Sequence, residues 1–171
     1  LIGTDWGEDS LTESGYPRLV KRWRRGTPLE AAETLFSGSR ADVLVAASRD
    51  HTPGFERTFL SRAVDFFNDD VYEMLDGDLI RIDAPTDATV SAHRNWLLIE
   101  LRTDWYTGSG TYRAGSLLAA DYDEFLAGTA DLHVVFEPDE HTSLHQHAWT
   151  KDKLVIVTLA DVASRVQTVT P

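Results

Sequence analysis

The 171-residue sequence predicts an all-β fold with one short helix, on three observations. Strand-length runs of apolar, β-branched and aromatic residues recur from end to end. Turn formers separate them. Apolar runs closed by an aspartate also recur, with Asp5, Asp50, Asp104 and Asp161 spaced at 45, 54 and 57 residues.

The elements follow in chain order. Leu1-Ile2-Gly3-Thr4-Asp5-Trp6 is strand-like from its first position, and Gly15-Tyr16-Pro17 turns the chain into the strand Arg18-Leu19-Val20-Lys21-Arg22-Trp23. Val43-Leu44-Val45 opens the next strand, which ends before the Thr52-Pro53-Gly54 turn. Val71-Tyr72-Glu73-Met74-Leu75 and Leu79-Ile80-Arg81-Ile82 flank Asp76-Gly77. That dipeptide predicts a tight hairpin, because it supplies the positive φ angles of a primed turn. Trp96-Leu97-Leu98-Ile99-Glu100-Leu101 is a strand, and Gly108-Ser109-Gly110 a turn. The helix is predicted near residues 121–128: its acids sit in the first turn, Tyr122, Phe125 and Leu126 share a face, and Gly128 suits the C′ position. His133-Val134-Val135-Phe136, the turn Glu137-Pro138-Asp139, Leu154-Val155-Ile156-Val157 and a final strand entering Pro171 complete the pattern.

Strand pairs repeated every ~40–57 residues match the length of a propeller blade. The first and third copies agree best, Thr4-Asp5-Trp6 being echoed by Thr103-Asp104-Trp105. The expectation is a single partial β-propeller domain over residues 1–171, with three to four antiparallel blades, cut from a larger chain. An interrupted array leaves apolar faces and strand edges uncovered, which predicts a homodimer or higher assembly through exposed blade edges.

Composition narrows the function. Sixteen basic against 28 acidic residues give a net charge of −12, which disfavours nucleic acid and anionic membrane surfaces as partners. The chain has no cysteine, which excludes disulfides, thiolate zinc sites and a thiol nucleophile. No apolar stretch approaches the ~20 residues that span a bilayer.

Four constellations could carry chemistry. His141, His145 and His147 lie beside Asp139 and Glu140, and two histidines two apart on a strand point the same way, as metal ligands can. The spacing lacks the glutamate of a helical zinc-hydrolase motif, so a loop entering a strand is the favoured reading. Ser61, His51 and Asp50 contain the residue types of a hydrolytic triad, but no Gly-x-Ser-x-Gly turn is present. The carboxylates Asp69-Asp70, Asp121/Asp123/Glu124 and Asp139-Glu140 could flank a sugar bond, although so acidic a chain places acids together at turns by chance. Lys21-Arg22-Trp23-Arg24-Arg25 is read as a half-exposed strand with Lys21, Trp23 and Arg25 on one face. No catalytic, cofactor-binding or metal-binding residue is assigned, and no cofactor is expected.

Longer strings are more specific. The runs Ser10-Leu11-Thr12-Glu13-Ser14-Gly15-Tyr16-Pro17-Arg18-Leu19-Val20-Lys21 and Trp23-Arg24-Arg25-Gly26-Thr27-Pro28-Leu29 resemble the propeller of actinobacterial prolyl oligopeptidase-family serine peptidases. So do Asp50-His51-Thr52-Pro53-Gly54-Phe55-Glu56-Arg57, Leu101-Arg102-Thr103-Asp104-Trp105, Ala114-Gly115-Ser116-Leu117-Leu118 and Phe125-Leu126-Ala127-Gly128. The resemblance implies a propeller that caps an α/β-hydrolase domain and admits short peptides to a Ser-Asp-His triad. No position here matches a triad residue or the hydrolase domain. The expected role is therefore a non-catalytic, substrate-gating segment of a cytoplasmic serine oligopeptidase, with short peptides and the hydrolase domain of the same chain as partners. A free-standing propeller-like interaction scaffold is the alternative.

Overall fold

In the computed structural model, which describes residues 1–108 and 110–171, the strand-like runs pair into five antiparallel sheets. The chain divides into two compact units, Leu1–Ile82 and Asp83–Pro171.

The first unit holds two meanders. β1 (Ile2–Gly3), β2 (Leu19–Arg22) and β3 (Glu33–Ser37) form one, and β4 (Leu44–Asp50), β5 (Arg57–Ala63), β6 (Asp69–Leu75) and β7 (Asp78–Arg81) the other. Val20, Val45 and Leu60 are buried together, and Phe36, Ala47, Tyr72 and Met74 pack around them. Phe36 and Tyr72 meet in a tilted ring contact at 5.6 Å. The predicted Asp76-Gly77 hairpin is present, with φ of +52° and +99° at its two central residues and Leu75 paired to Asp78. Gly38 fills the tightest point: a Cβ there would lie 2.7 Å from Val45 Cγ1 and 2.8 Å from Asp42 Oδ2.

The second unit contains β8 (Thr89–His93), β9 (Trp96–Glu100), the hairpin of β10 (Trp105–Thr107) and β11 (Gly110–Tyr112), and β12 (Leu117–Asp121). Helix α1 (Tyr122–Leu126), β13 (His133–Phe136), β14 (Thr142–Trp149), β15 (Leu154–Ala160) and β16 (Ala163–Val169) follow. Strands order as β13-β12-β9-β8 in one sheet and β14-β15-β16 in another. The central strands β9 and β12 bury both faces, so they read as continuous apolar runs. Leu98, Leu117 and Ala119 meet Leu154 and Ile156 in the core. The predicted turn at Gly108-Ser109-Gly110 falls on residue 109, outside the described residues.

Helix α1 is capped at both ends, at its C-terminus by the Gly128 that the sequence predicts and at its N-terminus by Asp121, expected only as a first-turn acid. The Asp121 carboxylate accepts the Asp123 and Glu124 N–H groups at 3.1 Å. At the other end Gly128 takes φ +72°, its N–H reaching Phe125 O while Thr129 N–H reaches Glu124 O. Those two bonds are the paired closure of a Schellman motif.

The aspartate repeat is real but out of phase with the sheets. Asp5 follows β1 and Asp50 ends β4, each the first strand of its sheet, whereas Asp104 follows β9 and Asp161 follows β15, each a second strand. The match of the first and third copies is therefore one of loop chemistry, not of blade register. Asp5 accepts Gly7 N–H, Asp50 accepts Thr52 N–H and Asp104 accepts Ala114 N–H, each at 2.8 Å. An aspartate after an apolar run marks where the chain turns, whichever strand it leaves.

Two predictions follow from these turns. The β15–β16 turn places Val162 at φ +65°, fully exposed, a conformation in which a β-branched side chain is strained. Val162→Gly is expected to stabilise the chain by about 1 kcal/mol in urea unfolding; a loss of stability would contradict that reading. The carboxyls of Asp5, Asp65 and Asp139 are held below the usual range, chiefly by the backbone N–H of Gly7, Phe67 and His141 respectively. Carboxyls depressed in the folded state contribute stability above their unfolded pKa of about 3.9 and lose it as pH falls further. Asp69 works the other way, because burial and then the neighbouring Asp65 and Asp70 push its carboxyl up. Unfolding free energy should thus drop below about pH 4, and Asp69→Asn should remove a gain in stability that the native chain makes as pH falls toward about 4 from above. An unchanged pH dependence above pH 4 in that variant would overturn the assignment.

Candidate functional site

The histidine cluster does not converge. β14 pairs with β15 through a bulge between Leu144 and Gln146, so one residue is inserted at His145. The insertion shifts the alternation: His145 is exposed, while His147 turns inward. Two residues apart on this strand are therefore not on one face, which corrects the expectation. His147 Nε2 lies 3.3 Å from Glu100 Oε2, and His141 Nδ1 lies 3.2 Å from Asp161 Oδ1 at an exposed turn. Among the described residues no three His, Asp or Glu side chains group as metal ligands.

The serine-histidine-aspartate set is also dispersed. Asp50 pairs across the ladder with Arg57, and Ser61 lies four residues further along β5, which is about 13 Å. Each carboxylate group has a structural task. Asp70 bonds Arg62 at 2.7 Å and Arg81 at 3.3 Å, Asp121 caps α1, and Asp139 accepts His141 N–H at 2.8 Å.

The basic run is a turn rather than a strand beyond Arg22. A register shift between Val20 and Lys21 and the turn closed by Thr27 N–H on Arg24 O end the alternation. Lys21 Nζ lies 4.5 Å above the Trp6 ring, Arg22 pairs with Glu33 at 2.9 Å, and Trp23 Nε1 donates to Thr27 O. Lys21, Trp23 and Arg25 do not form the predicted common face.

The structure instead presents features that motif reading passed over. A groove of about 240 Å³ in the first unit is lined by Ile2, Pro17, Val20, Val45 and Ala47, with no polar side chain to orient a ligand. Arg57 and Glu73 face each other at 3.9 Å, both almost wholly buried in the β4–β7 sheet. The hairpin tip between β5 and β6 exposes Phe66 and Phe67. Its signal was legible: an aspartate and an asparagine, both turn formers, bracket two phenylalanines at 65–68. These arrangements can shape, gate and dock. They do not assemble a nucleophile, a base and an oxyanion donor.

No protein-family model matches the chain. An uncharacterized peptidase of Rickettsia prowazekii is 30% identical over 173 residues, covering 95% of this chain and 24% of the relative. An uncharacterized peptidase of Sinorhizobium fredii is 29% identical over 176 residues, covering 97% and 24%. The structure of a post-proline cleaving enzyme from Rickettsia typhi superposes with a TM-score of 0.86 at 27% identity, over 95% of this chain and 25% of that enzyme. A solved prolyl endopeptidase at 12% identity and a TM-score of 0.63 shares the fold. The chain spans about a quarter of the length of the peptidases it matches. These likenesses run along the whole chain and match it to one segment of such peptidases, consistent with a fragment of a prolyl oligopeptidase-type propeller.

Proposed function

We propose that residues 1–171 act as one partial propeller domain that gates substrate entry in a serine peptidase cleaving short peptides after proline. The chemistry belongs to an α/β-hydrolase domain elsewhere in the same polypeptide. The observation that carries this reading is the superposition on the Rickettsia typhi post-proline cleaving enzyme over 95% of the chain. The geometry supports it, since the nominated carboxylates and histidines serve turns, caps and ion pairs. A sheet whose central strands are buried on both faces, as β9 and β12 are, is a rigid wall. Such walls pass an extended peptide and stop a folded protein, while a net charge of −12 biases entry toward cationic peptides.

Self-association belongs to the same proposal. β16 ends its sheet, and its residues 163–168 are all exposed, leaving an edge able to pair with another strand. Light scattering at micromolar concentration should give a mass above the 19.1 kDa of one chain; a monomer mass at every salt concentration would remove this part.

The complete polypeptide is expected to cleave a short post-proline peptide and to take a fluorophosphonate label on a serine outside residues 1–171. Residues 1–171 alone should do neither. Labelling of a serine within them, or a complete polypeptide that leaves such peptides intact, would overturn the proposal.

A further inference from the structure

We infer that the tip of the β5–β6 hairpin, residues 64–68, is a preformed aromatic anchor for a folded part of the same peptidase outside residues 1–171. Its receptor is an apolar pocket rimmed by lysine or arginine. The inference rests on the reading of the chain as one part of a longer peptidase.

The first ground is exposure. Phe66 is 87% exposed, Phe67 63% and Val64 39%, side by side on one turn. With 150–250 Å² per aromatic side chain, the two rings offer roughly 300 Å² of apolar surface. That reaches the lower end of the range for the largest patch on a typical monomer, and it is concentrated at a hairpin tip.

The second ground is rigidity. Asp65 Oδ1 accepts Phe67 N–H at 2.7 Å and Asn68 N–H at 2.8 Å, and Asn68 Nδ2 donates to both Asp65 oxygens at 2.9 Å. Val64 N–H closes the turn on Asn68 O at 2.9 Å. Just below, Arg62 and Asp70 clamp the two strands at 2.7 Å. The turn that carries the rings is therefore ordered before any partner arrives, and little backbone ordering entropy is left to lose on docking.

Shape and charge select the occupant. A convex knob needs a concave receptor, which a short, flexible substrate peptide does not offer. A two-fold contact with a second copy would set Asp65 and Asp69 against their own counterparts, a like-charge arrangement. A pocket elsewhere in the peptidase avoids both difficulties, and the matched peptidases are about four times as long as this chain. The carboxylate of Asp65 beside the rings sets the demand for a cationic rim.

The test places p-benzoyl-phenylalanine at position 66 of the complete peptidase, followed by irradiation and peptide mapping. The expected product is an intramolecular cross-link to a residue outside 1–171, in a pocket bearing lysine or arginine. A covalent dimer, a cross-link confined to residues 1–171, capture of added peptide, or no cross-link would overturn the inference. As a second readout, Phe66→Ser should speed limited proteolysis between the segment and the remainder by about tenfold, and Phe66→Leu should retain most of the protection. Equal rates in all three proteins would contradict it. Cross-linking needs no catalytic turnover, so a wild-type polypeptide inactive on post-proline peptides would defeat the proposed function without deciding the docking.

Discussion

Connections that leave these sheets must find acceptors for backbone N–H groups that no ladder serves, and short aspartate side chains supply many of them. Asp5, Asp50, Asp65, Asp104, Asp121 and Asp139 each accept a backbone N–H at a strand exit, hairpin tip or helix start. An aspartate reaches the N–H two residues on without ordering a long side chain. Part of the chain's acidic composition is thus a record of how the loops are held. The same arrangement makes loop geometry sensitive to acid, while the sheets depend on apolar burial.

That burial is thin and layered. In the first unit a few side chains around Leu60 close the core; in the second, β9 and β12 supply large residues beside the small Ala119 and Ala120. Small residues let strands and side chains approach closely, and beside Val45 and Asp42 only a glycine fits at position 38. Charges enter these layers only in company. Arg57 faces Glu73, and Arg62 lies between Asp42 and Asp70, because an unpaired buried charge costs several kcal/mol.

Much of the fold was legible because its signals are local. The Asp76-Gly77 turn, the Gly128 cap of α1 and the continuous apolar runs of β9 and β15 each depend on residues within a few positions. What escaped depends on partners distant in sequence. The bulge at His145 follows from how β14 lies along β15, and no feature of His145-Gln146-His147 announces it. Lys21 finds Trp6, and Arg57 finds Glu73, only after the sheets form. The aspartate repeat misled in phase because it reports turns, and turns occur at either end of a blade. The Phe66-Phe67 tip was written plainly but is silent as chemistry, since it offers contact and not reaction.

A chain whose acids hold its loops is a frame, and on the proposed reading what it contributes is the shape it keeps. The most direct test of that account is amide hydrogen exchange, by NMR, at Gly7, Thr52, Phe67, Ala114 and His141. Each N–H is bonded to an aspartate in a loop or turn rather than to a strand partner. The account predicts that all five are protected well above exposed neighbours such as Glu8 and Glu140, although they lie outside regular ladders. Exchange at these five amides as fast as in an unfolded chain would contradict it.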